Sequence, residues 1–265
     1  MSLFDFFRKK DKDKSENENA TQLIFKDDKG NTISLADLKG ASGTYNWQVV
    51  GNEEIPNDAV ILHQAARQLG GQGKYEESIE KLKQASQLAP NWAYPVYDLA
   101  YTKLLQKDFE QALKYYEFTD QLEPTGFFTA KTALWSLKKE HEGVFPKGIY
   151  LAYMQIEWQN SEEEKLKIAK AILAKFPTYA PAWKVIANKS DDHNERLAAI
   201  KKGLALNPDF ETKGMLLINR ALIFDVQGDK EEAKKILGRL IFNKESTVSN
   251  IEMAKFILYS IASKN

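Results

Sequence analysis

The side chains that could do chemistry in this chain are few and poorly grouped. None of the 265 residues is a cysteine, which removes disulfides, thiolate metal ligands and thiol nucleophiles and suits a reducing compartment. The three histidines, His63, His141 and His193, lie far apart. A zinc site needs several N or S ligands, so no metal and no cofactor is expected. No GxSxG, HExxH, GxGxxG or P-loop pattern occurs. Glu162-Glu163-Glu164 could supply paired carboxylates, but the triplet opens a helical stretch, where the helix dipole favours acids without any catalysis. The expectation is a protein that is not an enzyme.

Composition narrows the remaining classes. Lys+Arg and Asp+Glu both number 37, for zero formal net charge, so nothing draws the chain as a whole toward nucleic acid or anionic lipid. Hydrophobic residues make up 43%, enough for a sizeable core. No apolar run approaches the roughly 20 residues of a membrane-spanning helix. The N-terminus, MSLFDFFRKKDKDK, does not read as a secretory signal, because its apolar part is interrupted by Asp5 and its charges follow rather than precede it. Residues 1–20 read as a disordered tail and linker. The alternative is a membrane-surface anchor over residues 3–10, with Leu3, Phe4, Phe6 and Phe7 at the interface and Arg8, Lys9 and Lys10 near headgroups. Asp11 and Asp13 dilute that basic cluster. A cytoplasmic location is expected.

Residues 21–56 differ. Leu23-Ile24-Phe25, a turn signal at Asp28-Lys29-Gly30-Asn31 and Thr32 to Leu35 read as a hairpin. A helical turn near Leu35 to Leu38 and a strand at Tyr45 to Val50 follow. This predicts a small β appendage, closed by Pro56 and packed on the first helices through Trp47, Val49 and Ile55.

From Asn57 onward the periodicity is helical, with Asn57 or Asp58 as the first cap. Four prolines close similar amphipathic stretches: Pro90, Pro124, Pro177 and Pro208. The first two are 34 residues apart. Within that period Leu62, Ala66, Gly73, Tyr75, Ser78, Leu82 and Ala85 are answered by Val96, Leu99, Ala100, Phe109, Ala112, Tyr116 and Thr119. Small residues let two helices approach, large ones fill the space between them, and proline stops the second helix. In these positions the chain resembles the tetratricopeptide repeat family, a stack of helix pairs with this period. The fold class expected is all-α, a tetratricopeptide-like α-α superhelix over residues 57–265 with the β-containing appendage before it. The units fall at 59–92, 93–126, 146–179, 180–210 and 211–245, with a terminal cap at 246–263. A 53-residue gap between Pro124 and Pro177 makes room for one extra helix at 127–141, expected at a bend. A 31-residue gap between Pro177 and Pro208 places a short turn at Lys189 to Asp192. Truncating an inter-helix residue such as Leu82 or Tyr116 should cost on the order of 2–5 kcal/mol.

The resemblance also implies a binding surface, because the first helix of each pair then lines the concave face. Counting along each unit gives His63, Gln64 and Arg67, then Tyr94, Tyr97 and Tyr101, then Tyr150 and Met154, then Lys184 and Asn188, then Asn219. Tyrosine offers contact area with few rotors to freeze, and Arg67 or Lys184 would pair an acidic group. The carboxylate clamp used by some members is not implied, since Asp98 stands where an asparagine would and His63 near where a lysine would. The function this implies is a protein–protein interaction scaffold holding a peptide or protein segment in its groove. The competing reading is that the tyrosines close the core, or that the extra helix fills the groove.

Overall fold

The computed structural model describes residues 22–26, 32–33, 46–50 and 54–263. The expectations for residues 1–20, for the turn at 28–31 and for a helical turn near position 35 lie outside them. Three short strands come first, β1 (Gln22–Lys26), β2 (Thr32–Ile33) and β3 (Asn46–Val50), paired antiparallel in the order β2-β1-β3.

Twelve helices follow among the described residues. They are α1 (Asn57–Gly71), α2 (Tyr75–Leu88), α3 (Ala93–Leu105), α4 (Phe109–Leu122), α5 (Ala130–His141), α6 (Ile149–Met154), α7 (Glu162–Lys175), α8 (Ala180–Lys189), α9 (His193–Ala205), α10 (Phe210–Val226), α11 (Lys230–Phe242) and α12 (Val248–Ser263). Consecutive helices pack side by side, as in a tetratricopeptide-like stack. β1 comes against α12.

The prolines act as the backbone rule requires. Ala89, Glu123 and Phe176, each before a proline, leave the helix with φ between −128° and −135°, the extended conformation that proline imposes on its predecessor. The fourth stop differs. Asn207 takes φ 49°, a left-handed conformation that asparagine tolerates better than most residues. The tight turns within pairs use the same device, at Gly73 (φ 78°), Gly228 (φ 86°) and, without glycine, Lys107 (φ 62°).

Five helix starts are fixed by an aspartate or a serine. Asp108, Ser161, Asp192, Asp209 and Asp229 each accept a hydrogen bond from a backbone N–H in the first turn. The expected cap at Asn57 or Asp58 is not used. Pro56 is the N-cap and both residues lie inside α1. In the unit expected at 146–179 the first helix, α6, stops at Met154 after six residues. Beyond it Ile156, Glu157, Trp158 and Gln159 donate to carbonyls three residues back, the tighter pattern of a 3₁₀ turn.

Three apolar clusters run through the stack. Ala66, Ile79, Leu82 and Leu99 join α1 to α3. A second, largest cluster continues from α3 to α10, and a third joins α10 to α12. The small residues meet where helices cross: Ala66, Ala85, Ala100, Ala112, Ala221 and Ala233 are all fully buried. Ser78 spans the first crossing by donating to the Ala66 carbonyl at 2.8 Å.

The stack is not purely a chain of neighbours. Helix α5 packs on α4 and also on α10. Val248 N–H donates to the Thr125 carbonyl at 2.8 Å, and Thr132 donates to Asp209 at 3.1 Å. At the same junction Gly214 of α10 lets Asn250 of α12 through: a Cβ there would sit 2.0 Å from the Asn250 amide nitrogen. Gly214→Ala should therefore destabilise by about 1–3 kcal/mol despite alanine's better helix propensity. Leu82→Ala, by opening a cavity instead, should cost roughly 2–5 kcal/mol. Urea denaturation of both variants checks this. A gain in stability for the glycine variant would show that α12 is not held so closely.

Candidate binding face

The tyrosines that counting placed on the concave face meet a segment of their own chain. Phe127 and Phe128 lie just before α5, Phe127 buried and Phe128 half-buried in a left-handed conformation at φ 46°. Tyr94 stands edge-on to them, with ring centroids 4.9 and 5.5 Å away. Tyr97 meets them at 5.6 and 5.3 Å. Thr129 serves two hydroxyls: the Tyr97 hydroxyl is 2.8 Å from its Oγ1, and Tyr150 donates to it at 3.4 Å.

Tyr150 is placed by an unusual start to α6. Gly148, at φ 92°, precedes the helix. The Glu140 carboxylate, reaching from the end of α5, accepts from the N–H groups of Gly148 (2.7 Å) and Tyr150 (2.8 Å). Burial raises the pKa of Glu140 above the usual carboxylate value, although both N–H bonds and Lys147 pull it down. Tyr150 is then fully enclosed, and Met154, one turn on, is buried too.

The charged and amide positions fall into three groups. His63 is 6% exposed; it donates to Asp98 at 2.8 Å and packs edge-on against Trp92. Asn219 is buried, accepting from Arg196 at 3.2 Å and donating to the Met215 carbonyl at 2.9 Å. Lys184 is paired inside the chain, with Glu211 at 3.6 Å and the Tyr153 ring at 5.8 Å. Burial opposes its charge, but Tyr153, Glu211 and Asp209 outweigh this and hold its pKa above the ordinary lysine value. Gln64, Arg67 and Asn188 are exposed, with Arg67 3.9 Å from Asp98. In this state His63, Tyr150, Met154 and Asn219 offer almost no surface to another molecule.

The same count also reaches Trp158 in the third unit. Trp158 is 47% exposed, and its indole N–H donates to the Tyr101 hydroxyl at 3.1 Å. The turns after α6 carry it there. Its position one turn beyond Met154 was the only sequence signal, and it depended on α6 continuing as a helix.

Comparison with known proteins adds only likenesses of fold. No protein-family model matches the chain, and no curated protein matches it. Among solved structures it is similar to MamA from Desulfovibrio magneticus RS-1, at 15% identity over 76% of this chain and 99% of that one, with a TM-score of 0.34. It is similar to the flexible tandem repeat domain of a bacterial cellulose synthase, at 18% identity over 75% and 97%, with a TM-score of 0.48. A third is a thermophilic TPR protein of Thermus thermophilus, at 16% identity over 76% and 99%, with a TM-score of 0.33. Likenesses this loose carry no weight beside the helix pairs of the chain itself. Among the described residues no helix is long and apolar enough to cross a membrane, and no group of three or more His, Asp or Glu is placed to hold a metal ion.

Burial raises the pKa of Tyr97, Tyr116, Tyr150, Tyr153 and Tyr179 above the ordinary tyrosine value. Their contribution to stability is full below the unfolded value of about 10 and is lost as pH rises through the folded values. Ultraviolet titration should therefore show these tyrosines ionising only together with loss of the helical circular dichroism signal. Reversible ionisation of all of them with the helices intact would contradict their enclosure.

Proposed function

We propose that this chain is a non-enzymatic scaffold that holds a peptide or protein segment against the open part of its inner face. The single observation that carries the reading is Trp158. A large aromatic left half in solvent yet held by a hydrogen bond to Tyr101 resembles the rigid anchors that dominate binding energy at interfaces. Tyr101 beside it, and exposed Gln64 and Arg67 on α1, would complete a patch of aromatic, amide and cation. Arg67 would turn toward an acidic group of the partner, since its 3.9 Å approach to Asp98 is loose and solvent-exposed, the kind of pair worth little in itself. Asn188 would lie at the margin of this surface. Tyr94, Tyr97, Tyr150, Met154 and Lys184 would join it only if the segment at 125–132 moved away. The strand-bearing stretch 21–56 belongs to this reading as a small appendage to the array.

The test is selection of binders from a displayed peptide library with the full chain, followed by affinity measurement. Trp158→Ala and Arg67→Ala should each weaken the selected peptides about tenfold or more while leaving thermal unfolding unchanged. Acidic peptides should lose more on the Arg67 change. Selected peptides that bind both variants as tightly as the parent would refute this surface.

A further inference from the structure

A cleft of about 400 Å³ opens between α7 and α9, both of which pack on α8. That size lies in the range of sites that enclose small molecules. The cleft stays open because its facing positions are short. Ala174 of α7 and Ala198 of α9 line it with one methyl group each, and both are exposed. Beneath them Leu173 and Ile186 give it a buried apolar floor.

One wall is Trp183 of α8, and the chain holds it in place. Its indole N–H donates to the Pro177 carbonyl at 2.8 Å. Gly203 of α9 lets it come close: a Cβ there would sit 3.2 Å from the Trp183 Cβ and 2.8 Å from a Leu216 methyl group. Lys202 stands over the ring, with Nζ 4.6 Å from a ring centroid. The other charges at the rim are Lys170 and Glu195, paired at 2.8 Å. Glu195 also accepts from the Ser190 hydroxyl at 2.5 Å. Lys170 first, then Ser190, hold the Glu195 pKa below the ordinary carboxylate value, so it is ionised at neutral pH. Among the described residues Lys202 has no carboxylate paired with it; the indole ring is its neighbour. The rim thus carries two cations and one anion, with the surplus positive charge at the Trp183 wall.

We propose that this cleft binds a small aromatic carboxylate of single negative charge, its ring against Trp183 and Ile186 and its carboxylate at Lys202. A planar ring can meet the indole edge-on or offset, the arrangements that aromatic pairs prefer, while Leu173 and the two alanines cover its other side. The indole is already fixed by Pro177 and Gly203, so little ordering is needed on binding. The rim charges supply the selection. A carboxylate pairs the one lysine that no acid of the chain satisfies. A cationic ligand would meet two lysines, and a second negative charge would stand beside Glu195. The cleft shares no residue with the surface around Trp158 and is independent of the reading given to that surface.

The test titrates indole-3-propionate into the full chain, isotope-labelled at nitrogen, and follows the indole N–H signals by magnetic resonance. The chain has five tryptophans, and the signal missing from Trp183→Phe is that of Trp183. This signal should shift with a dissociation constant of about 1 mM or tighter, the range open to a ligand of this size. Tryptamine, which carries an ammonium in place of the carboxylate, should bind about tenfold more weakly or not at all. Lys202→Gln should weaken the acid about fivefold, a modest loss because the pair stands at an exposed rim. Ala198→Leu, at an exposed position, fills the cleft and should abolish the shift with the helical circular dichroism signal unchanged. No shift of the Trp183 signal at about 10 mM acid, equal affinity for tryptamine, or parental binding by Ala198→Leu overturns the proposal. A peptide ending in tryptophan that binds about tenfold tighter than the free acid, and loses that binding in Ala198→Leu, would assign the cleft to a chain terminus and overturn the small-ligand reading.

Discussion

Residues 125–132 have to satisfy, in one short segment, groups belonging to helices that are far apart in the sequence. The Thr125 carbonyl takes the first N–H of α12, Phe127 and Phe128 cover two tyrosines of α3, Thr129 receives a tyrosine of α6, and Thr132 reaches the cap of α10. A stack of helix pairs ordinarily depends on nearest neighbours alone. Here one segment ties the third helix to the tenth and twelfth. The buried glutamates follow from this. Glu140 must supply the acceptor that starts α6, because α6 begins at a left-handed glycine with no capping side chain. Glu211 must face Lys184 in the space left where α5 crosses α10.

The repeated part of the chain was legible because its forces are local. A proline acts on the residue before it, an alanine on the helix it touches, an aspartate on the next turn's N–H groups. The stretches expected as units at 180–210, 211–245 and 246–263 hold, to a residue, α8 and α9, α10 and α11, and α12. The same locality hides strain. Lys107 takes the left-handed conformation that Gly73 takes one period earlier, at a cost of roughly 1–2 kcal/mol. Nothing about a lysine announces that, and only the 34-residue period points to it.

What was not legible is everything that depends on the fold's return upon itself. The pairing of Thr132 with Asp209, or of Thr125 with Val248, leaves no periodic trace in the residues between. Asp209 and Glu211 read as ordinary acids at a helix start, and Asp209 is indeed the cap of α10. Their burial comes from α5 and α12 arriving overhead. The 19 residues in excess of one period were the visible sign that a helix had been inserted, but they did not tell which face it would cover. His63, to which the sequence assigns no partner, finds Asp98 on the neighbouring helix for the same reason: its contact spans 35 residues.

The covered tyrosines also alter how binding would have to work. A tyrosine hydroxyl already bonded to Thr129 has no unmet demand, so a peptide reaching Tyr97 or Tyr150 must first replace bonds that the chain makes to itself. Exchanging one buried hydrogen bond for another gains little, whereas leaving a buried hydroxyl without a partner costs about 1–3 kcal/mol. An entering ligand therefore gains there only if the segment at 125–132 has already moved, and its displacement appears as a reduction in apparent affinity by the fraction of open molecules. Trp158 and Arg67 carry no such penalty, because both already stand in solvent. On the proposed reading the inner face would divide into a part available at once, at Trp158 and Arg67, and a part that the segment at 125–132 would have to uncover first.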